Sequence, residues 1–372
     1  MMVVSSNIKE WYLRYPLEDP LRKTALCHIT DERDFLPENS SMFHASAAQA
    51  AAALSMSASD EKLLKENLSA LGYKDIVTLA YQETDREKIG MCIGSRVRND
   101  RLQIAVVLRG TCGDEWYSNF DIGFSAEHSG FAKAADFAEL KIGDYVFTRA
   151  ICVAPEFFIT GYSRGGAVAN ILAKRLCDRY GIDNVCAYTF ASPSTTISRR
   201  TNRYGSIFNL VRQEDFFTRV PLTGWGYTKY GKNISLSDHG DMTVRYHDLT
   251  GEDYIGFTRQ VLVDNFLCAL QRLAPNVNAY YRRQRQVGDR KLSMYEFLNC
   301  VADMLSQHMD DAVADVFFSA MFSDYADLIS FLSSGADLSE IVASTAAVPK
   351  CSVADSHSPA AYMASLELFL PQ

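Results

Sequence analysis

EFFITGYSRGGAVANILAKRLCDRYG, residues 156–181, reads in three parts: an apolar strand from Glu156 to Thr160, the turn Gly161-Tyr162-Ser163-Arg164-Gly165, and an amphipathic helix. The helix, over residues 164–180, has Val168, Ile171, Leu172 and Leu176 on one face and Tyr180-Gly181 at its end. A sharp strand-to-helix turn forces strained dihedrals on the serine and crowds the residues two before and two after it, and glycine at 161 and 165 relieves that crowding. G-x-S-x-G by itself is a modest signal, because a serine there also serves as a plain helix cap. The strand before it and the helix after it make Ser163 a candidate nucleophile.

Upstream, IVTLAYQ from Ile76, KIGMCIGSRV and LQIAVVLRG from Leu102 to Gly110 read as strands. The last is a near-continuous apolar run, as a strand covered on both faces requires, which places it centrally in a sheet. A helix near Phe131 to Leu140 separates it from EFFIT, and NVCAYTFAS (184–192) and SIFNLV (206–211) follow the amphipathic helix. Strands and helices alternating at this spacing predict an α/β fold with a mostly parallel central sheet.

The flanks differ in texture. The opening stretch to residue 75 reads as a helical cover on the core, from the alanine-rich Ala45 to Ala58 and the leucine spacing of DEKLLKENLSAL at 60–71. Residues 76–250 form the predicted core. From 251 to 347 the chain is rich in Leu, Met, Phe and Ala at helical spacing, which predicts a helical insertion acting as cap or lid, and 348–372 returns to the core. The basic patch YYRRQRQ at 280–286 reads as a solvated helix face.

Composition narrows the function classes. The chain has 372 residues, 48% hydrophobic and 22% charged, and a formal net charge of -8, which suits a globular protein and argues against a nucleic-acid partner. Nine cysteines are scattered without a CxxC pair or metal-site spacing, so they read as small buried hydrophobes in a reducing compartment. The start MMVVSSNIKEWYLRYPLED has no apolar core of a signal peptide, and no run of 18 apolar residues spans a membrane. The default expectation is a cytoplasmic site, or secretion if the native N-terminus lies upstream. No metal or organic cofactor is predicted.

A serine hydroxyl is a weak nucleophile at neutral pH and needs a histidine base, itself oriented by a carboxylate. In the chain order Ser, Asp or Glu, His, the acid lies just beyond a later strand. Asp215, after SIFNLV and before FFTRVPL, fits, with Glu214 its neighbouring competitor. Of the histidines after it, His308 falls in the helical insertion and reads as a surface residue. His239 and His247 sit in the polar stretch DHGDMTVRYH, and His357 sits in a Ser/Pro turn before a last helix, AAYMASLELFL. The residues alone keep both His357 and His247 open. Two amide donors must face the oxyanion, one from the residue after the nucleophile and one from a loop after an earlier strand, which nominates Arg164 and the Gly110-Thr111 turn.

Several of these segments, in order, resemble the class 3 lipases, an α/β-hydrolase family that includes fungal triacylglycerol lipases, and especially its bacterial members. AVVLRGT is similar to the family's strand ending in Arg-Gly-Ser/Thr, EWYSNFD to its tryptophan-containing loop, and HSGF (128–131) to its His-x-Gly-Phe. FFITGYSRGGAVANILA is similar to its elbow and helix, with Tyr162 where histidine is usual. YTFASP resembles Tyr-Thr-Phe-Gly-Ser-Pro with Ala191 in place of glycine, and NLVRQEDFFTRVPL resembles the strand, acid and Val-Pro segment. The resemblance spans residues 40 to 230.

It implies an α/β-hydrolase fold, Asp215 as acid and Thr111 as oxyanion-hole residue. DSHSPAAYMASL, similar to the His-Ser-x-x-x-Tyr ending of bacterial relatives, implies His357 as base. The implied activity is hydrolysis of a lipid or other acyl ester through an acyl-enzyme, with transient contact with a lipid surface. A non-lipolytic esterase (feruloyl or short-chain), a phospholipase, a thioesterase and a binding protein on a dead scaffold are the rivals. Between 250 and 347 the resemblance to the fungal enzymes fails, so both that segment and the 112–130 loop, with Trp116, Tyr117 and Phe120, are candidates for covering the pocket.

Overall fold

A computed structural model describes residues 9–17, 24–31, 39–81, 85, 87–98, 100–111, 125–149, 155–213, 215–219, 226–236, 241–254 and 357–370. Residues 255–347 of the predicted helical insertion and the aromatic 112–124 stretch lie outside these residues. The chain divides into two compact units, one of 1–221, 227–253 and 359–372, the other of 222–226 and 254–358. In the second unit, Gly226, Tyr254, His357 and Ser358 are described.

The first unit is built on a seven-stranded sheet whose strands follow one another in chain order. They are β3 (Lys74–Leu79), β4 (Met91–Arg98), β5 (Arg101–Leu108), β6 (Glu156–Tyr162), β7 (Val185–Phe190), β8 (Ile207–Arg212) and β9 (Lys232–Leu236). The first three pair antiparallel and β5 to β9 run parallel. The parallel crossovers are filled by α3 (Ser129–Arg149) between β5 and β6 and α4 (Arg164–Tyr180) between β6 and β7. This is the α/β architecture with a mostly parallel central sheet expected from the sequence. Both β9 and the helix α5 (Asp241–Thr250) lie in a polar stretch where the sequence predicted no element.

Alternation along the strands explains the apolar runs. Ile104, Val106, Leu108, Phe157 and Ile159 point into one core with Phe131 and Ala135 of α3 and Val168, Ile171, Leu172 and Leu176 of α4. The intervening residues point to the opposite face, where α1 (Ala45–Ser57) lies on β6 and β7. There the Thr160 hydroxyl donates to the Ala51 carbonyl at 3.1 Å. The alanines of α1 leave no bulk between helix and strand, so backbone and sheet side chains meet directly. Phe43, just before α1, packs edge-on against Tyr188 of β7, Phe208 of β8 and Phe369 of the last helix, α6 (Pro359–Phe369).

The N-terminal stretch departs from expectation. Helix is present over α1 and α2 (Glu61–Ala70), but β1 (Lys9–Pro16) and β2 (Thr24–Asp31) form an antiparallel two-stranded sheet instead of a helical start. The physical reason is a period-2 pattern: Leu13, Tyr15, Cys27 and Ile29 are buried while their strand neighbours Tyr12, Arg14, Leu26 and His28 are exposed. Asn67 of α2 completes the strand edge, accepting from the Arg14 amide at 3.0 Å and donating to its carbonyl at 2.6 Å. Helix α2 is started by Asp60, whose Oδ1 accepts from the amides of Lys62 and Leu63, each at 3.0 Å. Asp60→Ala is expected to cost about 1 kcal/mol of unfolding free energy, read as a lower urea midpoint at unchanged slope.

Cys27, Cys92, Cys177 and Cys186 are buried and free. Burial pushes their thiols up, to about 11 at Cys177 and about 12 at the other three, so they behave as apolar packing groups. Among the described residues no helix is long and apolar enough to cross a membrane.

Candidate active site

β6 ends at Tyr162 and α4 begins at Arg164, leaving Ser163 alone between them at φ 54° and ψ −122°. A non-glycine residue at positive φ carries roughly 1–2 kcal/mol of strain. The turn is held from both sides: the Ser163 amide donates to the Phe190 carbonyl of β7 at 2.9 Å, and the Ser163 carbonyl accepts from the Ala167 amide at 3.0 Å. The glycines act as the sequence reading requires. A Cβ on Gly161 would stand 2.3 Å from the Gly165 carbonyl oxygen, and one on Gly165 would stand 2.4 Å from that of Leu108. Ala191, one residue past the Phe190 carbonyl that anchors Ser163, sits at φ 51°. That left-handed backbone accounts for the glycine that the resembling family carries at this point.

The strand ends gather the remaining candidates. Leu108 of β5 pairs with Gly161 of β6, so Arg109-Gly110-Thr111 continues beside the elbow. A Cβ on Gly110 would meet the Tyr162 carbonyl oxygen at 3.4 Å, and Thr111 follows, half-buried. Arg164 is fully buried, and its guanidinium is turned to the loop before β4, where Nη2 donates to the Lys88 carbonyl at 3.1 Å. Arg109 donates through Nη1 to the Tyr81 carbonyl at 2.9 Å, so the two arginines tie the Tyr81 and Lys88 carbonyls to the base of the elbow.

Asp215 is completely buried three residues past β8, at the same C-terminal edge of the parallel strands as Ser163. Its Oδ1 accepts from the Phe217 amide at 3.1 Å, and its carbonyl accepts from the Thr218 hydroxyl at 2.8 Å. The short 3₁₀ turn Phe216–Arg219 is thereby capped by the acid itself. Oδ2 accepts from the Tyr362 hydroxyl of α6 at 2.7 Å. In the sequence Tyr362 stands only as part of a similar ending, with no role of its own. The signal is present, however, as a phenol in the mostly apolar run PAAYMASL. The competing acid Glu214 lies outside the described residues.

The histidines separate by environment. His247 is on α5 with its side chain 55% exposed, 3.1 Å from the exposed carboxylate of Asp253. His128 is fully buried against the Phe131 ring, with centroids 3.9 Å apart, and its amide donates to the Thr195 carbonyl. His357 is half-buried in the turn two residues before α6. His239 and His308 lie outside the described residues. Ser163, Arg164, Thr111 and Asp215 thus belong to the first compact unit and His357 to the second.

A family profile described as lipase (class 3) matches residues 106–225, a segment that runs from β5 past Asp215 and stops short of His357. No curated protein matches the chain. Among solved structures, the Rhizomucor miehei lipase propeptide complex is similar with 18% identity and a TM-score of 0.40, over 51% of this chain and 68% of that one. The lipase of Rhizopus microsporus var. chinensis is similar with 16% identity and a TM-score of 0.40, over 53% and 76%. The Rhizomucor miehei triacylglyceride lipase gives 18% and 0.40, over 51% and 79%.

Proposed function

We propose that this chain, whose residues 106–225 match the class 3 lipase profile, is a carboxylic ester hydrolase that cleaves lipid acyl esters through a Ser163, His357 and Asp215 triad. The observation that carries the reading is Ser163 at φ 54° on a strand-to-helix turn whose flanking glycines admit no Cβ. A structure stores such strain where a side chain must stand clear of the backbone around it.

In the proposed reaction the Ser163 hydroxyl attacks the acyl carbon while His357 takes its proton. The carbonyl π electrons move onto oxygen, where the Arg164 amide and the Thr111 amide and hydroxyl receive them. Collapse expels the alcohol, protonated by His357, and leaves an acyl-serine. Water, deprotonated by His357, attacks the acyl carbon, and collapse breaks the bond to Ser163, releases the acid and returns the proton from His357 to the serine oxygen. Asp215 supports the imidazolium formed in both halves.

Labelling with a fluorophosphonate followed by peptide mass spectrometry tests the chemistry: one adduct is expected, on the peptide containing Ser163. No adduct would sink the reading and leave a binding scaffold, and an adduct elsewhere would transfer the nucleophile's role from Ser163. The substrate class is tested with p-nitrophenyl esters of graded length and an emulsified triglyceride. Turnover that falls steadily beyond short chains, with none on the emulsion, would move the protein to the short-chain or feruloyl esterases.

A further inference from the structure

We infer that Tyr362 is the positioning residue for the acid of the proposed triad: its hydroxyl fixes the Asp215 carboxylate at the end of β8. The inference rests on the hydrolase reading above and adds a residue to it.

Tyr362 is completely buried in a helix whose other inward residues are Ala360, Ala361, Met363, Ala364, Ser365 and Leu366, all small or apolar. A phenol taken out of water needs partners for its oxygen, and this one has two. It accepts from the Arg212 amide of β8 at 3.3 Å and donates to Asp215 Oδ2 at 2.7 Å, a length typical of a hydrogen bond to a charged acceptor. Burial, and next the Asp215 charge, push the phenol well above its ordinary range, so the hydroxyl stays protonated and remains a donor.

The carboxylate is therefore gripped at both oxygens, Oδ1 by the Phe217 amide and Oδ2 by Tyr362, which sets the plane of the group and blocks its rotation. The same ring stands edge-on to Tyr162, with centroids 5.6 Å apart at 85°, so it also touches the residue that precedes Ser163. The Arg212 guanidinium is 5.9 Å from the ring centre. On the loop side, the Lys229 ammonium donates to the Thr218 carbonyl at 2.5 Å, in the turn that Asp215 caps. Tyr362 thus links the elbow, the end of β8 and the acid. In sequence it lies five residues after His357, so one short segment supplies both the proposed base and the group that holds the acid.

Tyr362→Phe in the full chain is the test, because it keeps the ring against Tyr162 and removes the one hydroxyl. The expected result is a kcat on p-nitrophenyl butyrate about tenfold lower with KM unchanged. The acidic limb of kcat/KM should also move to higher pH, because a carboxylate relieved of one donor holds the imidazolium more tightly. In an Asp215→Asn background, fluorophosphonate labelling should show no further loss on adding Tyr362→Phe. A lower Tm with kcat and the acidic limb unmoved would make Tyr362 a packing residue and overturn the assignment. Should the Phe variant fail to fold, 3-fluorotyrosine in place of Tyr362 keeps the group as a stronger donor. The acidic limb should then move to lower pH, and an unmoved limb overturns the assignment. Failure of the underlying reading is distinct: the wild-type chain would then take no label at Ser163.

Discussion

Asp215→Asn is expected to lower kcat by roughly ten-thousandfold with little change in KM, measured on a soluble p-nitrophenyl ester. Both oxygens of Asp215 receive donors, the Phe217 amide and the Tyr362 hydroxyl. An asparagine has one acceptor oxygen and an NH₂ group, so one of these buried donors would face another donor. The amide also carries no charge to set against the imidazolium that forms as Ser163 is deprotonated. A neutral, misoriented partner leaves the histidine in the wrong tautomer for taking the serine proton. The unpaired contact should also lower stability, by about 1–3 kcal/mol, visible as a reduced Tm. Glu214→Gln is the matched control and should leave kcat within about threefold if Asp215 is the acid. A drop with Glu214→Gln and none with Asp215→Asn would transfer the acid role to Glu214.

Which parts of this architecture can be read in the sequence follows from the range of the interactions involved. The elbow is legible because its determinants are local: a glycine two residues either side of Ser163, an apolar strand before and a periodic helix after. The central strands are legible for a similar reason, since Ile104 to Leu108 are buried on both faces and leave a continuous apolar run. β1 and β2 are harder, because a two-stranded sheet leaves Tyr12 and Leu26 exposed and its alternation is blurred by aromatic residues on both faces. Edge strand β9, Lys-Asn-Ile-Ser-Leu, is mostly polar, and its identity comes from pairing with β8, which no local pattern encodes. Tyr362 is the clearest case of a long-range determinant. Its partner lies 147 residues away, so only the fold shows that the phenol meets a carboxylate.

Gly165→Ala is expected to abolish soluble expression of the full chain, with a destabilisation above about 4 kcal/mol. The added methyl would stand 2.4 Å from the Leu108 carbonyl oxygen and 2.6 Å from that of Arg109. Both obstacles are backbone, so no side-chain rotation relieves them. Either α4 lifts off the end of β5, or β5 moves and carries Gly110 and Thr111 with it. The first route opens the core shared by Val168, Ile171 and Leu172 with Val106 and Leu108. The second breaks the Leu108 to Gly161 register. Gly143→Ala tests whether this is a property of the position or of losing a glycine. Gly143 lies inside α3, where an added methyl would have nothing within 4 Å, and the change should stabilise by about 0.5–1 kcal/mol through helix propensity alone. Folded Gly165→Ala protein with an unchanged Tm would mean that the elbow is looser than a 2.4 Å approach allows, and the strain at Ser163 would lose its support with it.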